Sequence, residues 1–195
     1  PYVRDMRSRL VVLTVLALWA APARAQIGLA SASTAVALSA TKAASVRVWL
    51  PGGTSATLPG ALVTGPNDFT PIPFSTTWEV DPQRTGGVSL VAYFDQPERA
   101  LAGSAGAIPS AAVLGRVPSG GPQSFTSFTG GPVTGGTALA GTAGGTLVLF
   151  TEAIAAANAV GGRSDNLQVR IDLTGKPELP AGTYTGVLNL MVITQ

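Results

Sequence analysis

Cysteine and histidine are both missing from this chain of 195 residues. Without cysteine the protein forms no disulfide, no thiolate metal site and no thiol redox motif, and it has no cysteine nucleophile. Without histidine it lacks the commonest general base, the commonest metal ligand and the usual partner of a catalytic serine. A domain of this length still folds without disulfides, because it buries about two-thirds of its unfolded surface.

Charged residues are scarce, and the apparent excess of positive charge belongs to the N-terminus. Four of the 12 Lys and Arg residues and one of the 10 Asp and Glu residues lie before Gln26, which leaves 8 basic and 9 acidic residues in the rest of the chain. The remaining basic residues are scattered and form no cluster. The sequence therefore predicts no binding to nucleic acid or to an anionic membrane.

The N-terminus has the three parts of a secretory signal peptide. Arg7 and Arg9 precede an uninterrupted apolar run at 10–20, and Ala23-x-Ala25 supplies a site of small residues for cleavage. The run is shorter than the roughly 20 residues that a permanent membrane helix needs. We therefore expect an exported protein, located in the periplasm, on the cell surface or outside the cell, with no membrane contact after cleavage.

These features divide the chain into three parts. Residues 1–5 precede the first methionine and are interpreted as a non-native or mis-called start. Residues 6–25 form the predicted signal peptide, and residues 26–195 form a single predicted β-sandwich domain.

The body of the chain has the pattern of β-structure. Its 24 glycines and 15 prolines separate short runs rich in Val, Leu and Thr. In the clearest run, 166–173, Leu167, Val169, Ile171 and Leu173 alternate with polar residues, as in a strand with one buried face. Further strands are predicted at 27–38, 44–50, 75–80, 88–94, 146–151 and 183–194, with weaker candidates at 111–114 and 125–128.

The spacing of these strands predicts an all-β fold: an antiparallel β-sandwich, immunoglobulin-like with Greek-key connections, of about 7–9 strands. The runs at 87–94 and 146–150 are apolar on both faces, which suits strands in the centre of a sheet. One short helix is predicted at 152–159, capped by Thr151. The segment 104–145, dominated by Gly, Ser, Thr, Ala and Pro, is expected to form long mobile loops that bury little surface.

The sequence contains few candidates for a functional site. Trp49 and Trp78 each lie in a predicted strand among apolar residues, so each is either a core aromatic or a platform on which a sugar stacks. Loop carboxylates, Asp95 with Glu98 or Asp68 beside an asparagine, lack the dense spacing of a dedicated calcium loop. We predict no enzyme, no catalytic residue, no metal and no cofactor.

The C-terminus carries a family resemblance. Residues 179–194 combine Pro-Ala-Gly-Thr-Tyr with a strand rich in Val, Leu and Thr. This segment resembles the closing segment of spore-coat-U-like subunits of archaic chaperone–usher pili, and cell-wall-binding domains of the WxL kind end similarly. Pro180 and Gly182 would form a tight turn, and the Tyr184 hydroxyl would bond back to it. Leu188, Leu190 and Val192 would then line one face of the last strand.

Two functions agree with these observations. The first is a non-catalytic structural or adhesion-type protein of the cell surface or periplasm, in which the extended segment 26–39 either pairs within its own domain or adds to the sheet edge of a neighbouring subunit. The second is a secreted protein that binds or processes carbohydrate through Trp49 or Trp78 and loop carboxylates.

Overall fold

The computed structural model describes residues 42–104, 106–136 and 138–195. The predicted start segment, signal peptide and first strand lie outside these residues. The described part contains thirteen strands: β1 (Ser45–Trp49), β2 (Pro66–Asp68), β3 (Ile72–Glu79), β4 (Gly87–Tyr93), β5 (Leu101–Ala102), β6 (Ala107–Ile108), β7 (Val113–Arg116), β8 (Thr126–Ser127), β9 (Val133–Gly135), β10 (Ala138–Ala140), β11 (Thr146–Ala153), β12 (Val160–Asp172) and β13 (Asn189–Thr194). Three short 3-10 turns lie at Pro97–Arg99, Ser110–Ala112 and Ala156–Asn158.

The larger of the two main sheets has six strands, built around β12. Its order is β1-β3-β12-β7-β8, and β2 pairs with the C-terminal end of β12, on the same side as β3. The predicted apolar face of β12 is confirmed, because Leu167, Val169, Ile171 and Leu173 are all buried. The strand begins at Val160, six residues earlier than the alternation at 166–173 indicated.

The smaller main sheet has three strands in the order β11-β4-β13. β4 lies in the centre and is buried on both faces from Gly87 to Ala92, as its apolar sequence predicts. The same prediction for 146–150 is wrong, because β11 lies at the edge of this sheet and Val148 is exposed. The apolar character of β11 comes instead from its inner face, where Leu147, Leu149 and Phe150 enter the core.

The two main sheets pack face to face with one apolar core between them. Phe74 and Ile171 of the larger sheet and Leu90 and Leu149 of the smaller sheet belong to this core. The hairpin of β9 and β10 covers the outer face of the smaller sheet, where Ala140 packs on β4 and β13. The structure is therefore an antiparallel all-β sandwich, as predicted, with a partial third layer.

Six of the thirteen described strands have only two or three residues, so the strand count exceeds the expected seven to nine. Several of these short strands lie in the segment 104–145, whose expected role as loops with little burial is wrong. This segment supplies β7 and β8 to the larger sheet, and its Ile108, Val113, Val117 and Phe128 are almost completely buried. A few apolar residues among many glycines are sufficient to form buried strands in this segment, because the neighbouring strands cover them.

The helix predicted at 152–159 is also wrong. Glu152 and Ala153 continue β11 and pair with Val88 and Gly87 of β4, and only Ala156–Asn158 forms a 3-10 turn. The Asn158 side chain holds this turn, since its Nδ2 donates to Ala153 O at 2.9 Å. Backbone pairing with β4 overrides the local helix propensity of an alanine-rich segment.

Candidate functional site: an open edge of the sandwich

The two main sheets differ in width, and this difference leaves one side of the core open. The six-stranded sheet faces a sheet of only three strands, and irregular segments at 54–62 and 182–188 border the remaining space. A cleft of about 660 Å³ lies there. Its apolar lining comes from both sheets and from the irregular segments, and includes Leu50, Leu62, Ile72, Leu167, Leu188 and Leu190.

β13 forms the edge of the smaller sheet at this open side. Among the described residues it pairs only with β4. Gln195 and Gly87 exchange both backbone hydrogen bonds, at 2.8 and 3.1 Å. In an antiparallel ladder such pairs alternate with residues whose N–H and C=O groups point away from the partner. The backbone groups of Leu190, Val192 and Thr194 therefore point outward, away from β4.

The sequence of β13 leaves this edge without the usual protection against pairing. Asn-Leu-Met-Val-Ile-Thr contains no charge, no proline and no glycine. Proteins normally protect an exposed edge with a charged residue, a proline or a bulge. The opposite edge of the same sheet has such features, because β11 carries a bulge between Val148 and Phe150 and ends near Glu152. β13 is thus the unprotected edge of the smaller sheet.

The free edge of β13 also faces the edge strand of the larger sheet. β1 comes within 8 Å of β13, yet no backbone hydrogen bond joins them in the described residues. Val46 and Leu190 are half-buried and line an open gap of about 620 Å³ between the two strands. Within the described ranges, the open side therefore combines backbone groups that have no strand partner with apolar side chains that are only half-buried.

The predicted tyrosine turn holds the chain in place just before β13. The Tyr184 hydroxyl donates to Pro180 O at 2.8 Å, which confirms the expected bond back to the turn. A Cβ on Gly103 would lie 3.1 Å from the Tyr184 ring, so glycine allows the ring to pack there. Leu188, Leu190 and Val192 pack against the main core, as predicted.

The strand predicted at 183–194 is correct only from Asn189 onward. Thr185 forms a single bridge with Ala102, and the residues between Thr185 and Asn189 form no strand. The backbone of Gly186 runs so close to Ala100 O that a Cβ would collide with it. Tertiary contacts with the 100–102 segment thus delay the start of β13.

The two predicted site tryptophans have different surroundings. Trp78 is 6% exposed in a small core cluster, and its indole N–H donates to Asn158 O at 2.9 Å. Trp49 is 47% exposed and lies on the outer face of β1, opposite to the core-facing Val48. Only Trp49 presents a substantial surface to solvent.

A buried ion pair on the inner face of β12 was not predicted from the sequence. Asp165, whose side chain is 2% exposed, accepts hydrogen bonds from Arg163 Nε at 2.6 Å and from the hydroxyl of Ser119. The Arg163 guanidinium lies 4.3 Å above the Phe150 ring. Burial raises the pKa of Asp165, but the hydrogen bonds from Arg163 and Ser119 outweigh it and hold the pKa below its ordinary value.

The carboxylates considered for calcium have structural partners instead. Asp68 and Arg170 form a two-fold hydrogen-bonded pair at 2.6 and 2.9 Å, and Asp95 accepts from Asn189 Nδ2 at 3.0 Å. The described ranges hold no group of three or more Asp or Glu residues arranged to bind a metal. They also contain no apolar helix of the length that crosses a membrane.

A fold alone does not identify a function. No family model matches the chain, and no curated protein and no solved structure matches it either.

Proposed function

We propose that this protein is a non-catalytic, exported structural or adhesion-type β-sandwich protein of the bacterial cell surface or periplasm, and that its copies assemble by strand addition. The single observation that carries the proposal is the edge of β13, which is uncharged, lies beside an open cleft and, among the described residues, pairs only with β4. The resemblance of the C-terminal segment to pilus subunits supports the same function.

The physical reason for strand addition is the state of the β13 backbone. Leu190 and Val192 direct backbone groups away from β4, and an added strand would pair with them. The outward backbone oxygen of Thr194 is packed against Gly135 instead. Backbone hydrogen bonds would provide affinity, and alternate side chains of the added strand would enter the apolar cleft. Covering this edge would also remove an aggregation hazard, because a short uncharged edge strand of high β-propensity pairs readily with other chains.

The proposed added strand is the segment 26–39 of a neighbouring copy. The segment is uncharged, and Val36 and Leu38 would share one face with Ala30 and Ala32. It immediately precedes the described domain, which begins at Lys42, so each copy would carry both a donor strand and an acceptor edge. Such a head-to-tail arrangement generates an open polymer wherever the rotation between successive copies does not close into a ring.

A single position on β13 provides a sharp test. In Val192→Pro the ring replaces an N–H that points outward, so the ladder with β4 stays intact while the new strand loses a bonding partner. The matched control is Val192→Ala, which loses the same contacts but keeps the N–H. We expect the Ala variant to assemble like the parent and the Pro variant to stay monomeric in sedimentation velocity, with both folded by circular dichroism. Equal assembly of the two variants would contradict strand addition at β13.

Deletion of residues 26–33 tests the donor. If the segment adds to a neighbouring copy, the shortened chain remains folded, no longer polymerises, and binds a labelled synthetic peptide of residues 26–39 in fluorescence polarisation. If the segment pairs within its own domain, the full chain is monomeric from the start and the deletion lowers its melting temperature. The second result would overturn the assembly proposal.

A further inference from the structure

The outer face of the larger sheet carries an exposed tryptophan on a flat polar surface. Trp49 and Arg47 lie two residues apart on the same face of β1, and both are exposed. In the strand register, Ser75 of β3 lies opposite Trp49, and Ser164 of β12 lies opposite Ser75. In the same way, Thr77 lies opposite Arg47, and Gly162 lies opposite Thr77. Trp49 is 47% exposed, so its indole offers a surface on which a planar ring could stack.

The sheet surface beside Trp49 is polar. The hydroxyls of Ser75 and Ser164 lie 2.8 Å apart and bond to each other. Gly162 has no side chain, and a Cβ there would lie 2.9 Å from the backbone oxygen of Thr76. No side chain therefore projects from the sheet at this position, two strands away from Arg47. Ser75 is buried, so a planar ring that stacks on Trp49 would meet the exposed Ser164 and Thr77.

A second aromatic group lies on the same face, further along β12. Two guanidinium groups contact the Phe125 ring, that of Arg116 at 4.4 Å and that of Arg170 at 4.0 Å from its centre. Arg116 Nε donates to Gln168 Oε1 at 2.7 Å, which fixes the orientation of its guanidinium. A guanidinium held in this way is preorganised to bind a carboxylate with its remaining N–H groups.

The charges on this face are unevenly matched. Three carboxylates lie on this face. Asp68 is paired with Arg170, Glu79 is paired with Lys42, and Asp172 accepts a hydrogen bond from the Thr174 backbone N–H. Arg47 and Arg116 form no salt bridge with any described residue. On the outer face of β12, the polar side chains of Asn166 and Gln168 lie on the path between Trp49 and Arg116. The face therefore complements a ligand that is elongated, hydroxyl-bearing and negatively charged.

We propose that this outer face binds an extended acidic glycan, with a sugar ring stacked on Trp49 and carboxylates bound by Arg47 and Arg116. The hydroxyls and amides between these residues would contact the sugar hydroxyls. The site goes beyond the proposed assembly function, and it lies on the opposite face of the larger sheet from the apolar cleft. A subunit of this kind would use one face for the polymer and the other for adhesion.

The test uses the full mature chain and polygalacturonate as the acidic probe, with dextran as a neutral probe. We expect Trp49→Ala and Arg116→Gln each to weaken binding of polygalacturonate roughly tenfold, and binding to fall as salt rises. The matched controls are Leu139→Ala and Arg99→Gln, which remove an exposed apolar group and an exposed cation elsewhere on the molecule. We expect both controls to bind like the parent.

Three results would overturn the glycan site. They are no binding of polygalacturonate by the parent chain, equal binding of dextran, or equal losses in the control variants. Loss of binding in Arg116→Gln without loss in Trp49→Ala would show general charge attraction and would also overturn it. None of these results affects the assembly proposal, because Val192→Pro is tested by sedimentation without any glycan.

Discussion

The ion pair inside the sandwich gives a quantitative prediction for Asp165→Asn. The Asp165 side chain is 2% exposed and that of Arg163 19% exposed. The amide would remove the carboxylate charge that is hydrogen-bonded to Arg163, and it would weaken the hydrogen bonds that Asp165 accepts. Removing one partner of a buried, hydrogen-bonded ion pair costs about 3 kcal/mol or more. We therefore expect the free energy of unfolding to fall by about 3 kcal/mol.

A second Asp–Arg pair in the same sheet is the matched control. Asp68 and Arg170 form the same two-fold hydrogen bonds, but the Asp68 side chain is 58% exposed. Solvent screens such a pair, so Asp68→Asn should cost less than about 1 kcal/mol. Both variants would be compared with the parent by urea denaturation monitored through tryptophan fluorescence. Similar losses in the two variants would refute the argument that burial decides the effect.

The pH dependence of stability checks the same ion pair independently. The pKa of Asp165 is lower in the folded protein than its ordinary value. A group with a depressed folded pKa contributes stability above its unfolded pKa, which is about 3.9 for Asp, and this contribution is lost as pH falls through the folded pKa. We expect the stability of the parent to decline below about pH 4, with a smaller decline in Asp165→Asn. An equal decline in both would show that other carboxylates cause it.

Three further predictions concern export, the core and the tyrosine turn. The exported protein should have been cleaved after Ala25, and an intact mass that retains the leader would contradict soluble export. Ile171→Asp buries an unpaired charge and should lower the free energy of unfolding by about 4 kcal/mol or more in urea denaturation. Gln168→Glu, on the outer face, should change it by less than about 1 kcal/mol. Equal effects of the two substitutions would refute the assignment of the two faces of β12. Tyr184→Phe removes one hydrogen bond and should lower the free energy of unfolding by about 1 kcal/mol in thermal unfolding. The control is Tyr93→Phe, which should cost less because the Tyr93 hydroxyl has no partner among the described residues. A larger loss in Tyr93→Phe than in Tyr184→Phe would contradict the predicted hydrogen bond of the turn.

Much of the fold could be predicted where a strand alternates strictly between apolar and polar residues. The face of β12 at 166–173 and the central place of β4 followed from the pattern of apolar residues alone. The Tyr184 bond could also be predicted, because its acceptor lies only four residues away in the chain. Contacts of this kind are local, so the sequence contains both partners within one turn.

The alternation of apolar and polar residues failed to predict the strand where tertiary contacts place polar residues on the buried face. The inner face of β12 begins with Gly161, Arg163 and Asp165, whose polar character hid the start of the strand. These residues are tolerated there because Ser119 and Phe150, distant in sequence, provide the hydrogen bond and the aromatic surface that they need. No local signal reports such partners.

The sequence by itself determined the fold class, the buried face of β12 at 166–173, the burial of β4 and the lack of histidine and cysteine chemistry, because composition and alternation act residue by residue. Only the tertiary structure decided which strands lie at the edges, where the cleft opens and which tryptophan faces solvent. Trp49 and Trp78 have similar sequence surroundings, yet Trp49 lies on the outer face of an edge strand while Trp78 packs in the core. The order of strands in a sheet depends on contacts between distant segments, and this order places β13 at the edge of the smaller sheet as the described strands form it.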